Sequence, residues 1–136
     1  MKKNVIVSLA DANYFQLLEE LIDSIKRFKE SEKTAICILD AGLTQEQKEK
    51  LSKKVDEIKL AEWDIEVPDN KVKGKEWLKS QVSRAFLPKY FPNYEKYLWI
   101  DSDAWVNDWN CIELYFKACD DGKLGITQTI GPGYKI

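Results

Sequence analysis

Two short runs of branched apolar residues, Val5-Ile6-Val7-Ser8-Leu9 and Ala35-Ile36-Cys37-Ile38-Leu39, restrict the fold more than any other feature of the chain. Both are nearly continuous in apolar character, so each suits a strand buried on both faces. Between them Tyr14, Leu17, Leu18, Leu21, Ile22, Ile25 and Phe28 recur at spacings of three and four, while Glu19, Glu20, Asp23, Lys26 and Arg27 take the opposite side. That is the stripe of an amphipathic helix. Strand, helix, strand in this order is a crossover, and a crossover joins parallel strands.

The same alternation continues. Thr44-Gln45-Glu46-Gln47 matches a capping box and predicts a helix starting at Thr44, with Leu51 and Val55 inward and Gly42 in the turn before it. Ile58–Val67 is expected to be a strand ending at Pro68, and Lys71–Lys75 around Gly74 an exposed loop. A third helix is expected over Glu76–Leu87, with Trp77, Leu78, Val82, Ala85 and Phe86 on its inner stripe, ending before Pro88. Tyr97-Leu98-Trp99-Ile100 is the most hydrophobic strand of the second half. A short helix over Ile112–Cys119 and a last strand over Leu124–Thr127 complete the prediction. The expected fold is α/β, a Rossmann-like, mostly parallel sheet with helices on both faces. With 136 residues, 44% of them hydrophobic, the chain fits one domain over 1–136.

Composition excludes several functions. A formal net charge of -2 leaves no basic field, so nucleic acid is not an expected partner. Histidine is absent, which removes the Ser-His-Asp triad, the Cys-His pair and histidine-zinc sites. Cys37, Cys111 and Cys119 are odd in number and lack C-x-x-C spacing, as expected of free thiols in a reducing cytoplasm. The opening stretch reads as a first strand and not a signal peptide, because Asn4 and Ser8 interrupt its apolar run and Asp11 follows. No segment has the apolar length of a transmembrane helix, so a soluble protein is expected.

Chemistry therefore rests on carboxylates, lysine, arginine, hydroxyls and a bound metal. Asp101-Ser102-Asp103 follows the most hydrophobic late strand, at the end of the sheet where ligands of open α/β folds gather. Two aspartates one residue apart offer hard oxygen ligands for Mg²⁺ or Mn²⁺, which can neutralise a diphosphate. A D-x-D alone is weak evidence, and the same residues can simply cap a turn.

At this point the sequence resembles the GT-A glycosyltransferases, specifically the retaining family 8 group that includes glycogenin and bacterial lipopolysaccharide galactosyltransferases. Three stretches carry the likeness: Val5 to Tyr14 leading into a helix; Ser83-Arg84-Ala85-Phe86-Leu87 followed by Phe91-Pro92-Asn93-Tyr94-Glu95-Lys96; and Tyr97-Leu98-Trp99-Ile100-Asp101-Ser102-Asp103-Ala104-Trp105-Val106. The resemblance implies a UDP-sugar donor and a saccharide or lipopolysaccharide-like acceptor. It implies that Ala10 and Asp11 meet the uracil edge, that Asn13 meets the uracil carbonyl or ribose, and that Tyr14 stacks on the base. Arg84 would reach the sugar or its phosphate, Ser102 would lie in the nucleotide-sugar site, and Asp101 and Asp103 would hold the metal. Each residue also has a plainer reading: Tyr14 as the first core residue of its helix, Asp11 and Asn13 as its caps, Arg84 in a surface ion pair. Trp105 and Trp109 could line a sugar site but are expected to pack, and Lys71, Lys73 and Lys75 could fold over a diphosphate as a lid but are expected to lie in a solvated loop.

Family members are about twice this long, and their later half supplies acceptor contacts and a histidine ligand to the metal. The chain is accordingly expected to be a nucleotide-sugar-binding domain lacking the acceptor-binding half, with an uncovered sheet edge that favours homo-oligomers. Two other readings are kept: a catalytically inert, self-associating domain of the same fold, and a nucleotidyltransferase-like phosphoryl-transfer domain. The latter calls for a glycine-rich phosphate loop after the first strand, and Leu9-Ala10-Asp11-Ala12-Asn13 has none.

Overall fold

The computed structural model describes residues 1–127. Four parallel strands, β1 (Asn4–Ala10), β2 (Thr34–Asp40), β3 (Glu57–Leu60) and β4 (Lys96–Trp99), form one sheet in the order β3-β2-β1-β4. The two runs that opened the sequence reading are its central strands, and Val5–Ala10 and all of β2 are buried. Their side chains alternate between two cores. Ile6, Ala10, Ile36, Ile38 and Leu98 face one side, under helices α1 (Phe15–Lys26), α2 (Gln45–Ser52) and α6 (Trp109–Ala118). Val5, Val7, Leu9, Ala35, Cys37 and Leu39 face the other, covered by Leu87, Tyr90 and Phe91 around the short helix α5 (Leu87–Tyr90). Burial at Cys37 pushes its thiol up to about 11, so it is an inert core residue.

The capping box forms as expected: Gln47 N–H donates to Thr44 Oγ1 at 3.2 Å and Thr44 N–H donates to Gln47 Oε1 at 2.9 Å. Helix α1 starts later than expected. Phe15, Leu18, Leu21, Ile22 and Ile25 are its buried stripe, whereas Tyr14 and Leu17 are 46% and 40% exposed.

Three other expectations fail. The strand expected over Ile58–Val67 is only Glu57–Leu60, because the chain then leaves the edge to meet α5. Tyr90 Oη accepts from Glu62 N–H at 3.1 Å and donates to Asp64 Oδ2 at 2.7 Å, and Lys89 Nζ donates to Glu62 and Asp64 at 2.9 and 2.8 Å. The helix expected over Glu76–Leu87 is broken into a 3-10 turn at Glu76–Leu78, α4 (Lys79–Ser83) and α5. Pro88 cannot sit in a helix interior but is tolerated in a first turn, so a new helix starts around it. As a result Trp77, Ala85 and Phe86 are exposed, not inward. No strand forms over Leu124–Thr127, and the Lys71–Lys75 loop includes the end of one exposed helical turn, α3 (Asp69–Val72). Among the described residues no strand lies beside the outer edge of β4, and no helix is long and apolar enough to cross a membrane.

The Asp64 contact has a pH signature. Burial raises its carboxyl, but hydrogen bonds from Lys89 and Tyr90 outweigh this and hold it below the usual carboxylate range. A carboxyl depressed in the folded state stabilises above its unfolded value and loses that contribution as pH falls through the folded one. Asp64→Asn is therefore expected to lower the urea midpoint at pH 7 while flattening its decline as pH falls below about 5. A decline as steep as in the wild type would assign acid sensitivity to other carboxylates.

Candidate functional site

The ends of β1 and β4 lie side by side, since β4 pairs with β1 and Ile100 N–H continues the ladder to Val7 O at 3.0 Å. Beyond them opens a cleft of about 400 Å³ lined by Ala10, Asp11, Asn13, Tyr14, Asp101, Ser102 and Asp103 together with Leu9, Trp77, Ser80, Gln81 and Trp99. Residues more than eighty positions apart in sequence thus share one concave site. Arg84 stands behind it, lining a second, larger hollow beside the outer edge of β4.

On the β1 side, Asp11 Oδ1 accepts from Asn13 N–H at 2.9 Å and Tyr14 N–H at 3.0 Å. Neither Asp11 nor Asn13 is the expected cap of α1: its N-cap is Tyr14, without a side-chain cap bond, and Asp11 instead closes the turn that leads into the helix. Both N–H groups lie just before α1, and Asp11 engages none of the N–H groups inside the helix. The loop is braced from β2: Asp40 Oδ1 accepts from Gly42 and Leu43 N–H at 2.8 and 2.7 Å, Gly42 O accepts from Ala12 N–H at 3.1 Å, and Gln47 Nε2 donates to Ala12 O at 3.2 Å. Gly42 has φ +127°, a conformation that other residues rarely adopt.

On the β4 side, Ala104 N–H donates to Asp101 O at 3.0 Å, closing a turn with Ser102 and Asp103 at its centre. Ser102 is buried, whereas Asp101 and Asp103 are exposed. Helix α1 holds the chain that follows. Buried Ser24 Oγ accepts from Val106 N–H at 2.9 Å, and Arg27 donates to Val106 O and Asn107 O at 2.9 and 3.2 Å. Sequence reasoning placed Arg27 on the solvent side and missed this clamp, as it missed the bracing by Asp40. No local pattern marks the Arg27 contact, whereas Asp40-Ala41-Gly42 is a local turn signal, an aspartate accepting from the N–H groups two and three residues on.

Arg84 makes the ion pair that its plainer reading anticipated. Its Nη2 is 3.4 Å from Asp101 Oδ1, its Nε donates to Ser80 O at 2.9 Å, and its guanidinium lies over the Trp99 ring at 5.2 Å. Trp109 is buried and packs on Phe28 at 6.0 Å, but Trp105, expected to pack, is 67% exposed and lines the second hollow. The lining of the first cleft by Trp77, Ser80, Gln81 and Trp99 was also missed. Trp77 looked like a core residue only because its segment looked like one continuous helix.

The charge balance of the cleft decides what it can hold. Asp11, Asp101 and Asp103 line it, and no lysine or arginine does. A phosphate group there would meet three carboxylates unless a cation came with it. Asp101 and Asp103 fit that cation in kind: exposed hard oxygen donors on one turn, suited to Mg²⁺ or Mn²⁺. They do not complete its shell, since no three His, Cys, Asp or Glu residues cluster as metal ligands among the described residues.

Residues 5–115, most of the chain, match the model of glycosyl transferase family 8. The chain belongs to that family. Among the solved structures that share its fold are two of LgtC. One is an active-site mutant of LgtC, with a TM-score of 0.59 at 20% identity, covering 82% of this chain and 41% of the other. The other is the galactosyltransferase LgtC in complex with donor and acceptor sugar analogs, with a TM-score of 0.58 at 20% identity, covering 79% and 41%. The chain therefore spans about two fifths of the length of these structures. No curated protein sequence matches it. The family 8 match includes both sides of the cleft, and the expected GT-A type of α/β fold, shortened relative to those structures, is the one observed.

Proposed function

We propose that this family 8 chain is the nucleotide-sugar-binding part of a metal-dependent glycosyl transferase. It holds a UDP-sugar in the cleft between the ends of β1 and β4. The acidity of that cleft carries the reading: three aspartates line it and the neighbouring guanidinium, Arg84, is already paired with Asp101, so a divalent cation strengthens the binding of a nucleoside diphosphate there. The segment Leu9–Asn13 after β1 contains no glycine, which disfavours a phosphoryl-transfer domain of the phosphate-loop kind.

In this arrangement Asp101 and Asp103 hold Mn²⁺ or Mg²⁺, and Ser102, buried between them, fixes the turn. When bound, the cation neutralises the diphosphate and the charge that develops as it leaves. Ala10, Asp11 and Asn13 bound the base and ribose end, and the exposed Tyr14 ring offers a face for uracil. Arg84, tied to Asp101, stands where it can turn to the donor's phosphate or sugar. The acceptor is a saccharide whose contacts lie largely outside this chain.

Titration calorimetry with UDP tests the reading. Binding is expected in the presence of Mn²⁺ and weaker by at least about tenfold with chelator, the least that loss of a shielding divalent charge predicts. Binding equal in both conditions, or none in either, overturns it.

A further inference from the structure

We infer that Trp99 is the positioning residue of the metal-binding turn: its indole N–H fixes the Asp101 carboxylate so that one oxygen is committed to the protein and the other is presented to the cation. The inference rests on the metal reading above and assigns a role to a residue expected from the sequence only as part of a hydrophobic strand.

Trp99 is the last residue of β4 and Asp101 follows it by two, within reach of its ring. The indole Nε1–H donates to Asp101 Oδ1 at 2.7 Å. Asp101 needs such a partner, because its side chain is 57% exposed and would otherwise sample several rotamers. The indole itself is held on both sides. It is partly buried against the core that contains Phe91, and the Arg84 guanidinium covers its ring at 5.2 Å while Arg84 Nε is tied to Ser80 O at 2.9 Å. A line of contacts thus runs from the Ser80 carbonyl through Arg84 and Trp99 to one carboxylate oxygen.

Arg84 also approaches Oδ1, but at 3.4 Å and from an exposed position. It is a cation and competes with a metal for the charge of Asp101. The neutral indole donor orients the carboxylate without that competition, which is the work of groups that hold metal ligands from behind. Trp99 also lines both the acidic cleft and the hollow beside β4, so it forms the wall between them.

The test is Trp99→Phe, which keeps an aromatic ring for packing and for Arg84 but removes the N–H. Calorimetry is expected to show Mn²⁺ affinity reduced by about tenfold, the lower end for loss of a group that orients a ligand, with UDP affinity in chelator unchanged. Trp105→Phe, which removes an indole not bonded to the turn, is expected to leave Mn²⁺ affinity unchanged. A second readout needs no variant to carry the binding result. The Trp99 indole ¹H–¹⁵N resonance, assigned by its loss in Trp99→Phe, is expected to shift on addition of Mg²⁺ and in Asp101→Asn. Equal Mn²⁺ affinity in Trp99→Phe and wild type, or an indole resonance indifferent to Mg²⁺ that the wild type binds, overturns the inference alone. Absence of Mn²⁺ and Mg²⁺ binding by the wild type overturns the metal reading and the inference with it.

Discussion

Asp103→Ala is expected to abolish Mn²⁺-dependent UDP binding, lowering affinity by at least about 100-fold, the upper range for disruption around a metal. The two aspartates of the turn are not equivalent. One oxygen of Asp101 is engaged by Trp99 and approached by Arg84, whereas Asp103 makes no hydrogen bond or ion pair among the described residues. Asp103 is therefore the less encumbered ligand, and its loss leaves the cation with a single open oxygen on this turn. The fold should not notice. Asp103 is exposed, and surface substitutions of this kind fall within about 0.5 kcal/mol. Calorimetry beside a thermal melt separates the two effects, and Asp103→Asn, which keeps shape but removes charge, should fail nearly as badly. Retained affinity in Asp103→Ala would mean that the aspartates shape the turn and bind nothing.

What could be read from the sequence follows from where each constraint comes from. β1 and β2 were legible because both faces are buried, and a strand in that position has no choice but continuous branched apolar residues. The capping box was legible because its partners are three residues apart. The acidic turn could be located because a hydrophobic strand leads into it. Illegible elements depend on distant partners. β3 is an edge strand whose end is set by Tyr90 and Lys89, more than twenty-five positions away. The Ser24 bond to Val106 spans 82 positions, and nothing near either residue announces it. The segment from Glu76 to Leu87 carried a helical stripe, yet the proline and the pull of Leu87 and Tyr90 into the core broke it, turning Trp77 into a wall of the cleft. Tyr14 shows the same effect on a smaller scale: Phe15 took the core position, which left Tyr14 free to line the cleft.

Phe91→Ala is expected to cost about 3–5 kcal/mol, the usual range for emptying a buried phenylalanine site. A domain of this size has only about 5–15 kcal/mol in total. Phe91 is fully buried and belongs to the core on the thinly covered face of the sheet. The opposite face has three helices to share the load; this one has the Leu87–Phe91 segment with Ala41 and Ala61. Little can move in to fill the space, since Phe91 O is fixed by Tyr97 Oη at 2.7 Å and its neighbour Tyr90 is held by Asp64. The expected result is a markedly lower urea midpoint, because the loss is a large share of the total. Phe86→Ala, at a ring 37% exposed only five residues earlier, should cost less than about 1 kcal/mol. Similar losses for the two would mean that this face is not a sealed core. Because Tyr97 lies in β4, the cavity also undermines the strand that carries the acidic turn. The folded fraction of Phe91→Ala should therefore bind Mn²⁺ more weakly than wild type, whereas Phe86→Ala should bind it unchanged.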